Sequence, residues 1–441
     1  MTAVVGILNK RGVALAADSA VTRSRVYYGK EFNKITKNGN KLIRISEITP
    51  ISVMITGNAD FIRNPWDIII RRYRQERGCV PHSTVEACVH DLFDYISSNN
   101  ILWNREISRC WIESVLDELF TAIDKKIPFG IKVCKGDGTL AKPKTYIKKF
   151  ISLLRKDRVS ELKNGLCPQF KEYTIDHFRN YTGEILDLWF DMQTDIKPYT
   201  AEVISGIRAE LEMSLLTRLS TAGIDKDKSY KKYGHTKLIF AGYGVDQDYP
   251  SLVATDVCGG FDNRVNYYIN EKDIVCVSDD KPIAVCPFAQ RDVSVSILRG
   301  IHIDWFGKIL NGLEGITNPI LCDIVDLKED GGSGEFCRMF KEIEYKDLMD
   351  KAYNSIKRQL FKNQHIWENK LKDCDLKTLA LLAEDMINLT SFQRIVTFQQ
   401  EGVGGLVDVA VITKNDGFSW LNRKSWYHHK DVNGQYGKLG I

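Results

Sequence analysis

Apolar positions follow two rhythms along this chain, and the changes of rhythm divide it. Residues 2–7 and 13–17 are dense in small and β-branched apolar side chains on either side of a polar turn at 9–12, which predicts a β-hairpin. A polar stretch rich in Lys and Asn, 27–40, follows. Residues 41–45 and 51–56 predict a second pair of short strands, left by a turn at 57–60. Ile62, Trp66, Ile69, Ile70 and Tyr73 then recur at three- and four-residue steps, predicting an amphipathic helix over 61–77. Helical rhythm continues over 84–97, 107–122, 176–193 and 201–219, and 128–143 reads as loop.

Strand rhythm resumes at 237–242, 251–256, 264–268 and 274–277, with a helix over 290–300 and further helices over 344–361 and 376–394. The glycine turn Gly402-Val403-Gly404-Gly405 leads into a strand at 407–413, the turn Asn415-Asp416-Gly417 and a last strand at 418–421. The organisation is thus a β-rich part at 1–100, a helical insertion at 101–232, a second β-rich part at 233–426 and a polar tail at 427–441.

Composition narrows the function classes. With 44% hydrophobic and 27% charged residues over 441 positions, the chain is an ordinary globular one. A net charge of +4, from 61 basic and 57 acidic residues, calls for neither nucleic acid nor an anionic membrane. Lys226, Lys228, Lys231 and Lys232, interleaved with Tyr230 and Tyr233, are read as a solvated loop ending the insertion in preference to a nucleic-acid surface. The apolar runs 68–70 and 379–382 are far shorter than the roughly 20 residues of a membrane span. Asn9, Lys10, Arg11 and Asp18 interrupt any secretory signal. Eleven scattered cysteines without a Cys-x-x-Cys pair fit a reduced compartment, and a cytoplasmic location is expected. His82 and His90 fall in or near a helix and His428-His429 in the tail, so no metal cluster is expected. Gly242-Tyr243-Gly244 lacks the third glycine and the helix of a dinucleotide loop, and no cofactor is expected.

The opening Thr2-Ala-Val-Val-Gly-Ile, followed by Gly12-Val-Ala-Leu-Ala-Ala-Asp18-Ser19, resembles the start of the catalytic β subunits of the proteasome and their bacterial relatives, which are N-terminal-nucleophile (Ntn) hydrolases. That family begins its mature chain with Thr, places an Asp after the second strand, a Lys in the third and a Gly after the fourth. Thr2, Asp18, Lys41 and Gly57 stand here in that order. Two later stretches, 238–256 and 403–413, extend the resemblance, which covers 2–60, 236–260 and 400–421 and leaves the middle unmatched.

The resemblance implies an α+β fold, the four-layer αββα sandwich, here carrying the large helical insertion. It implies a threonine-type peptidase, with peptide or protein as substrate, self-assembly into rings and an unfoldase partner. Removal of Met1 would expose Thr2 as nucleophile, its own α-amine serving as base with a reference pKa of about 7.7–8.0. The Lys41 ammonium would disfavour protonation of that amine, Asp18 would hold Lys41, and the Gly57 backbone N–H would receive the oxyanion. Gln400 and Val403 stand where the family carries a supporting Asp and Ser, with Glu401 adjacent, and residues 286–292 replace its Gly-Ser-Gly serine. These departures keep two alternatives open, a catalytically silent scaffold or ring subunit and a small-molecule amidase. Lys34, Lys37 and Arg44 compete for the role of Lys41, and Gly57 also fits a plain turn former.

Overall fold

A computed structural model of the chain describes residues 2–27, 30–36, 39–62, 64–99, 103, 105–126, 144–161, 166–192, 201–217, 219, 235–302, 305, 307–309, 311–312, 334–397 and 404–424, with backbone alone over 22–35 and parts of the helices. The backbone groups into two units. One comprises Met1–Leu42, Asp248–Pro250 and Cys276–Ile441, the other Ile43–Gln247 and Ser251–Val275.

The first unit is built on an antiparallel sheet of five strands in the order Ile283–Ala289, Ala3–Asn9, Gly12–Ala17, Asp408–Thr413 and Gly417–Asn422. The predicted N-terminal hairpin is its centre, with Val4 opposite Ala17 and Asn9 opposite Gly12. Alternate side chains of one face, Ala3, Val5, Ile7, Ala14, Ala16 and Val409, pack on Leu379, Ala380, Ala383, Met386 and Ile387 of the helix Leu376–Val396. Small alanines in the strand let that helix lie close, and each buried Leu, Ile or Met side chain contributes about 1.5–3 kcal/mol. Val4, Leu8, Val13 and Leu15, on the other face, are fully buried as well. Burial on both faces is why these strands read as unbroken apolar runs. Asp375 caps the helix by accepting the N–H of Thr378 at 2.8 Å. Arg394 near its other end holds both oxygens of Asp292, at 2.7 and 2.6 Å, and so anchors the helix Asp292–Arg299.

The second unit holds a sheet in the order Arg264–Cys276, Ser251–Phe261, Thr236–Gly242, Ile51–Gly57 and Leu42–Arg44, antiparallel along its three middle strands. The helices Trp66–Arg77 and Val85–Ser98 cover it through Trp66, Ile69, Ile70, Tyr73, Val89, Leu92 and Phe93. Asp262 and Asn263, with φ of 47° and 55°, turn the chain between its two longest strands, the two-residue geometry that Asp and Asn tolerate. Four helices, Arg105–Lys125, Lys144–Glu161, Ile175–Met192 and Ala201–Thr217, build a separate core that includes Leu116, Phe150, Phe178, Trp189 and Leu211. The chain therefore has an α+β fold of antiparallel sheets and helices.

Several local expectations are corrected. The polar stretch 27–40 contains the second arm of a hairpin, Val21–Tyr27 with Lys30–Thr36. The helix read over 61–77 starts only at Trp66, because Pro65 caps it and Ile62 sits at φ 45°. Residues 264–268 and 274–277 are one strand, Arg264–Cys276. The strand Ile283–Ala289, not expected from the sequence, lies at the sheet edge, where Pro287 is tolerated, and the stretch 286–292 runs from it to the start of the helix Asp292–Arg299. The loop read over 128–143 and the tail lie outside the described residues.

Candidate functional site

The strand Gly12–Ala17 delivers Asp18 to a position with no solvent exposure. A buried carboxylate must be paired and fully hydrogen-bonded, and Asp18 is. Its Oδ1 accepts the backbone N–H of Ala3 at 2.9 Å and the ammonium of Lys41 at 2.7 Å. Its Oδ2 accepts the backbone N–H groups of Ala20 at 3.3 Å and Gly404 at 3.2 Å. One side chain thus ties together the first strand, its own turn, the Lys41 segment and the glycine turn before the strand Asp408–Thr413.

Lys41 is 5% exposed. Burial pushes its pKa below the ordinary lysine value, the charge and hydrogen bond of Asp18 oppose that, and the neighbouring Lys424 ammonium adds to the lowering. Gly39 sets the approach: its N–H donates to the Ser19 carbonyl at 2.9 Å, and a Cβ there would stand 2.2 Å from Val21 Cγ2. Of the competing cations, Arg44 donates to the Ser46 carbonyl at 2.7 Å, Lys34 lies in the strand Lys30–Thr36, and Lys37 is outside the described residues.

Thr2 directly precedes the strand Ala3–Asn9 and is 7% exposed. Its carbonyl accepts the Gln290 N–H at 3.3 Å, and the next residue is fixed twice by Asp18, whose backbone N–H donates to the Ala3 carbonyl at 3.1 Å. Thr2 is thereby held one residue from a buried carboxylate–ammonium pair.

Gly57 belongs to the second unit. It ends the strand Ile51–Gly57 at φ 84°, where a Cβ would stand 2.4 Å from the His235 carbonyl, so backbone geometry by itself demands glycine there. The same region holds a titratable cluster: Asp256 accepts from His235 at 2.7 Å and Lys237 at 3.0 Å, and Lys237 reaches Asp273 at 2.7 Å. Burial pushes the Asp256 carboxyl up, but His235 and Lys237 outweigh it and hold it below the usual range.

Four residues at the first site, Ser19, Gly404, Asp408 and Lys424, were not assigned a role there from the sequence. Gly404 donates to Asp18, Ser19 Oγ is buried with no hydrogen-bond partner among the described residues, and Lys424 forms a buried ion pair with Asp408 at 2.8 Å. The lone charge of Asp408 within the apolar run 406–412 was the available signal. Gln400, Glu401 and Val403 lie outside the described residues. Among the described residues no group of three His, Cys, Asp or Glu side chains could hold a metal ion, and no helix is long and apolar enough to cross a membrane. His82 is engaged by Tyr73 at 3.1 Å and Asp91 at 3.3 Å.

No protein-family model matches the chain, and no curated protein does. Among solved structures, an Anbu mutant from Hyphomicrobium sp. strain MC1 is a remote structural neighbour, 10% identical with a TM-score of 0.28, covering 96% of this chain and 86% of that one.

Proposed function

We propose that this chain is an amide-bond hydrolase of the Ntn class, a proteasome-like threonine peptidase in which Thr2, freed by removal of Met1, is the nucleophile. The observation that carries this reading is the buried Asp18 carboxylate, which grips both the Ala3 N–H and the Lys41 ammonium and so joins the chain start to a cation. In the reaction, Thr2 Oγ attacks the amide carbonyl and its proton passes to the α-amine, then to the departing nitrogen. The resulting ester is opened by water, which returns a proton to Oγ. The Lys41 ammonium, paired with Asp18, disfavours protonation of the α-amine, so the free base is present near neutral pH.

The four-layer αββα sandwich belongs to the same reading, and two five-stranded sheets with helices are compatible with it. Peptides or unfolded proteins are the proposed substrates, delivered by an unfoldase to a ring of copies. A reduced, cytoplasmic setting belongs to the same reading, and the free, buried thiols of Cys88 and Cys167 are compatible with it. The test is hydrolysis of a panel of fluorogenic peptide amides by wild type and Thr2→Ala: turnover lost with Thr2 supports the reading, and turnover retained without it removes Thr2 from the mechanism. A catalytically silent scaffold is the second reading, favoured by Gln400 and Val403 in place of an Asp and a Ser. It predicts no turnover from either protein.

A further inference from the structure

Lys424 was not named from the sequence, yet it is bound to the segment that carries Lys41. Its ammonium donates to the carbonyl of Gly39, two residues before Lys41, and to Oδ2 of Asp408 at 2.8 Å, while its backbone N–H donates to Oδ1 of Asp408 at 2.9 Å. The pair is nearly closed to solvent, the side chains being 5% and 4% exposed. An ordinary lysine keeps its ammonium in water, and burying one is unfavourable unless it is paired and bonded. Here the buried ammonium is spent on a backbone carbonyl. Gly39 also donates to Ser19, so the approach to Lys41 is gripped from two sides. Asp408 lies opposite Ala17 in the sheet, next to Asp18, which brings the two ion pairs to neighbouring positions on paired strands.

Resting on the reading of Thr2 as nucleophile, we propose that Lys424 is a positioning residue of that site, holding Lys41 against Asp18 through the Gly39 carbonyl and balancing the local charge with Asp408. It touches no reacting atom. Asp18 and Lys424 are the charged groups that face Lys41 among the described residues, and Asp408 faces Lys424. Removing the Lys424 cation leaves a carboxylate that favours protonated amines nearby; removing the Asp408 charge leaves a cation that disfavours them.

The experiment follows acylation of the full-length protein by a peptidyl β-lactone, whose carbonyl carbon bonds to Thr2 Oγ while the ring oxygen leaves as a hydroxyl carrying the proton. The rate is read by intact mass from about pH 6 to about pH 9, spanning the reference range of an α-amine. Lys424→Met is expected to acylate about tenfold more slowly at neutral pH with the midpoint of its rate–pH curve moved upward, and Asp408→Asn to move that midpoint downward. Lys424→Arg, which keeps the charge and donors, is expected to recover most of the rate. A wild-type rate and midpoint in Lys424→Met overturns the proposal. So does a loss equal at every pH with neither midpoint moved, which is what a structural role alone produces. If Lys424→Met lacks the wild-type circular dichroism, the Asp408→Asn curve decides, and an unmoved midpoint overturns the proposal. Wild type that never acylates overturns the nucleophile reading and this one with it, whereas labelled wild type with unchanged variants overturns only the role of Lys424.

Discussion

Oδ1 of Asp18 stands 2.7 Å from Nζ of Lys41, and both side chains are closed to solvent. A buried ion pair is costly to form and more costly to halve, because the remaining charge is left without a partner. Asp18→Ala would strand Lys41 and release the Ala3, Ala20 and Gly404 N–H groups at once. The expected loss is about 3–5 kcal/mol, read as a lower urea midpoint at pH 7, together with loss of Thr2 reactivity. A midpoint within experimental error of wild type would show that Asp18 holds nothing together.

Lys41→Ala tests the charge role once its circular dichroism matches wild type, because it also leaves the buried Asp18 carboxylate without its partner. It is expected to slow Thr2 acylation by more than about tenfold, with the ascending, acidic limb of the rate–pH curve moved to higher pH because the α-amine loses a repelling cation. Wild-type behaviour in this variant would assign the role to another basic residue.

Gly57→Ala tests the backbone at the end of the strand Ile51–Gly57. At φ 84°, with the His235 carbonyl 2.4 Å from the added Cβ, the substitution is expected to cost about 1–3 kcal/mol in urea unfolding. An unchanged midpoint would mean that the glycine is replaceable there.

Asp91 sets part of the acid sensitivity. Burial pushes its carboxyl up, but hydrogen bonds from Tyr73, His82 and Arg77 more than offset this and hold it below the usual value of 3.8. With the folded pKa below the unfolded one, the contribution to stability is present above the unfolded pKa and is lost as pH falls through the folded one. Asp91→Asn is expected to lower the thermal midpoint at pH 7 and to converge on wild type once the pH has fallen through the folded pKa of Asp91, which lies below the usual carboxylate value. A difference that persists unchanged into acid would point to packing instead of charge.

The sequence was legible where chemistry is local. Asn9 to Gly12 marks a hairpin between apolar runs, and that hairpin is the centre of a sheet. The three- and four-residue spacing of Ile69, Ile70 and Tyr73 marks a helix face that is buried. Legibility failed where partners are remote or the pattern is mixed. Tyr146, Ile147, Phe150 and Leu154 form a helical face, but Lys148, Lys149, Arg155 and Lys156 hide it among charges. The strand Ile283–Ala289 was not read at all; it contains Pro287, which an edge position tolerates. Thr2, Asp18 and Lys41 could be named from the opening of the chain. The grip of Gly404 on Asp18, across 386 positions, and of Lys424 on Gly39, across 385, could not be read from spacing.

The most direct test of the central claim is the intact mass of purified protein before and after exposure to a peptidyl β-lactone, with Thr2→Ala alongside. The account predicts a starting mass lacking Met1, one added acyl group on wild type and none on Thr2→Ala. A chain that retains Met1, or that loses it and never gains mass, would contradict the assignment of Thr2 as the nucleophile.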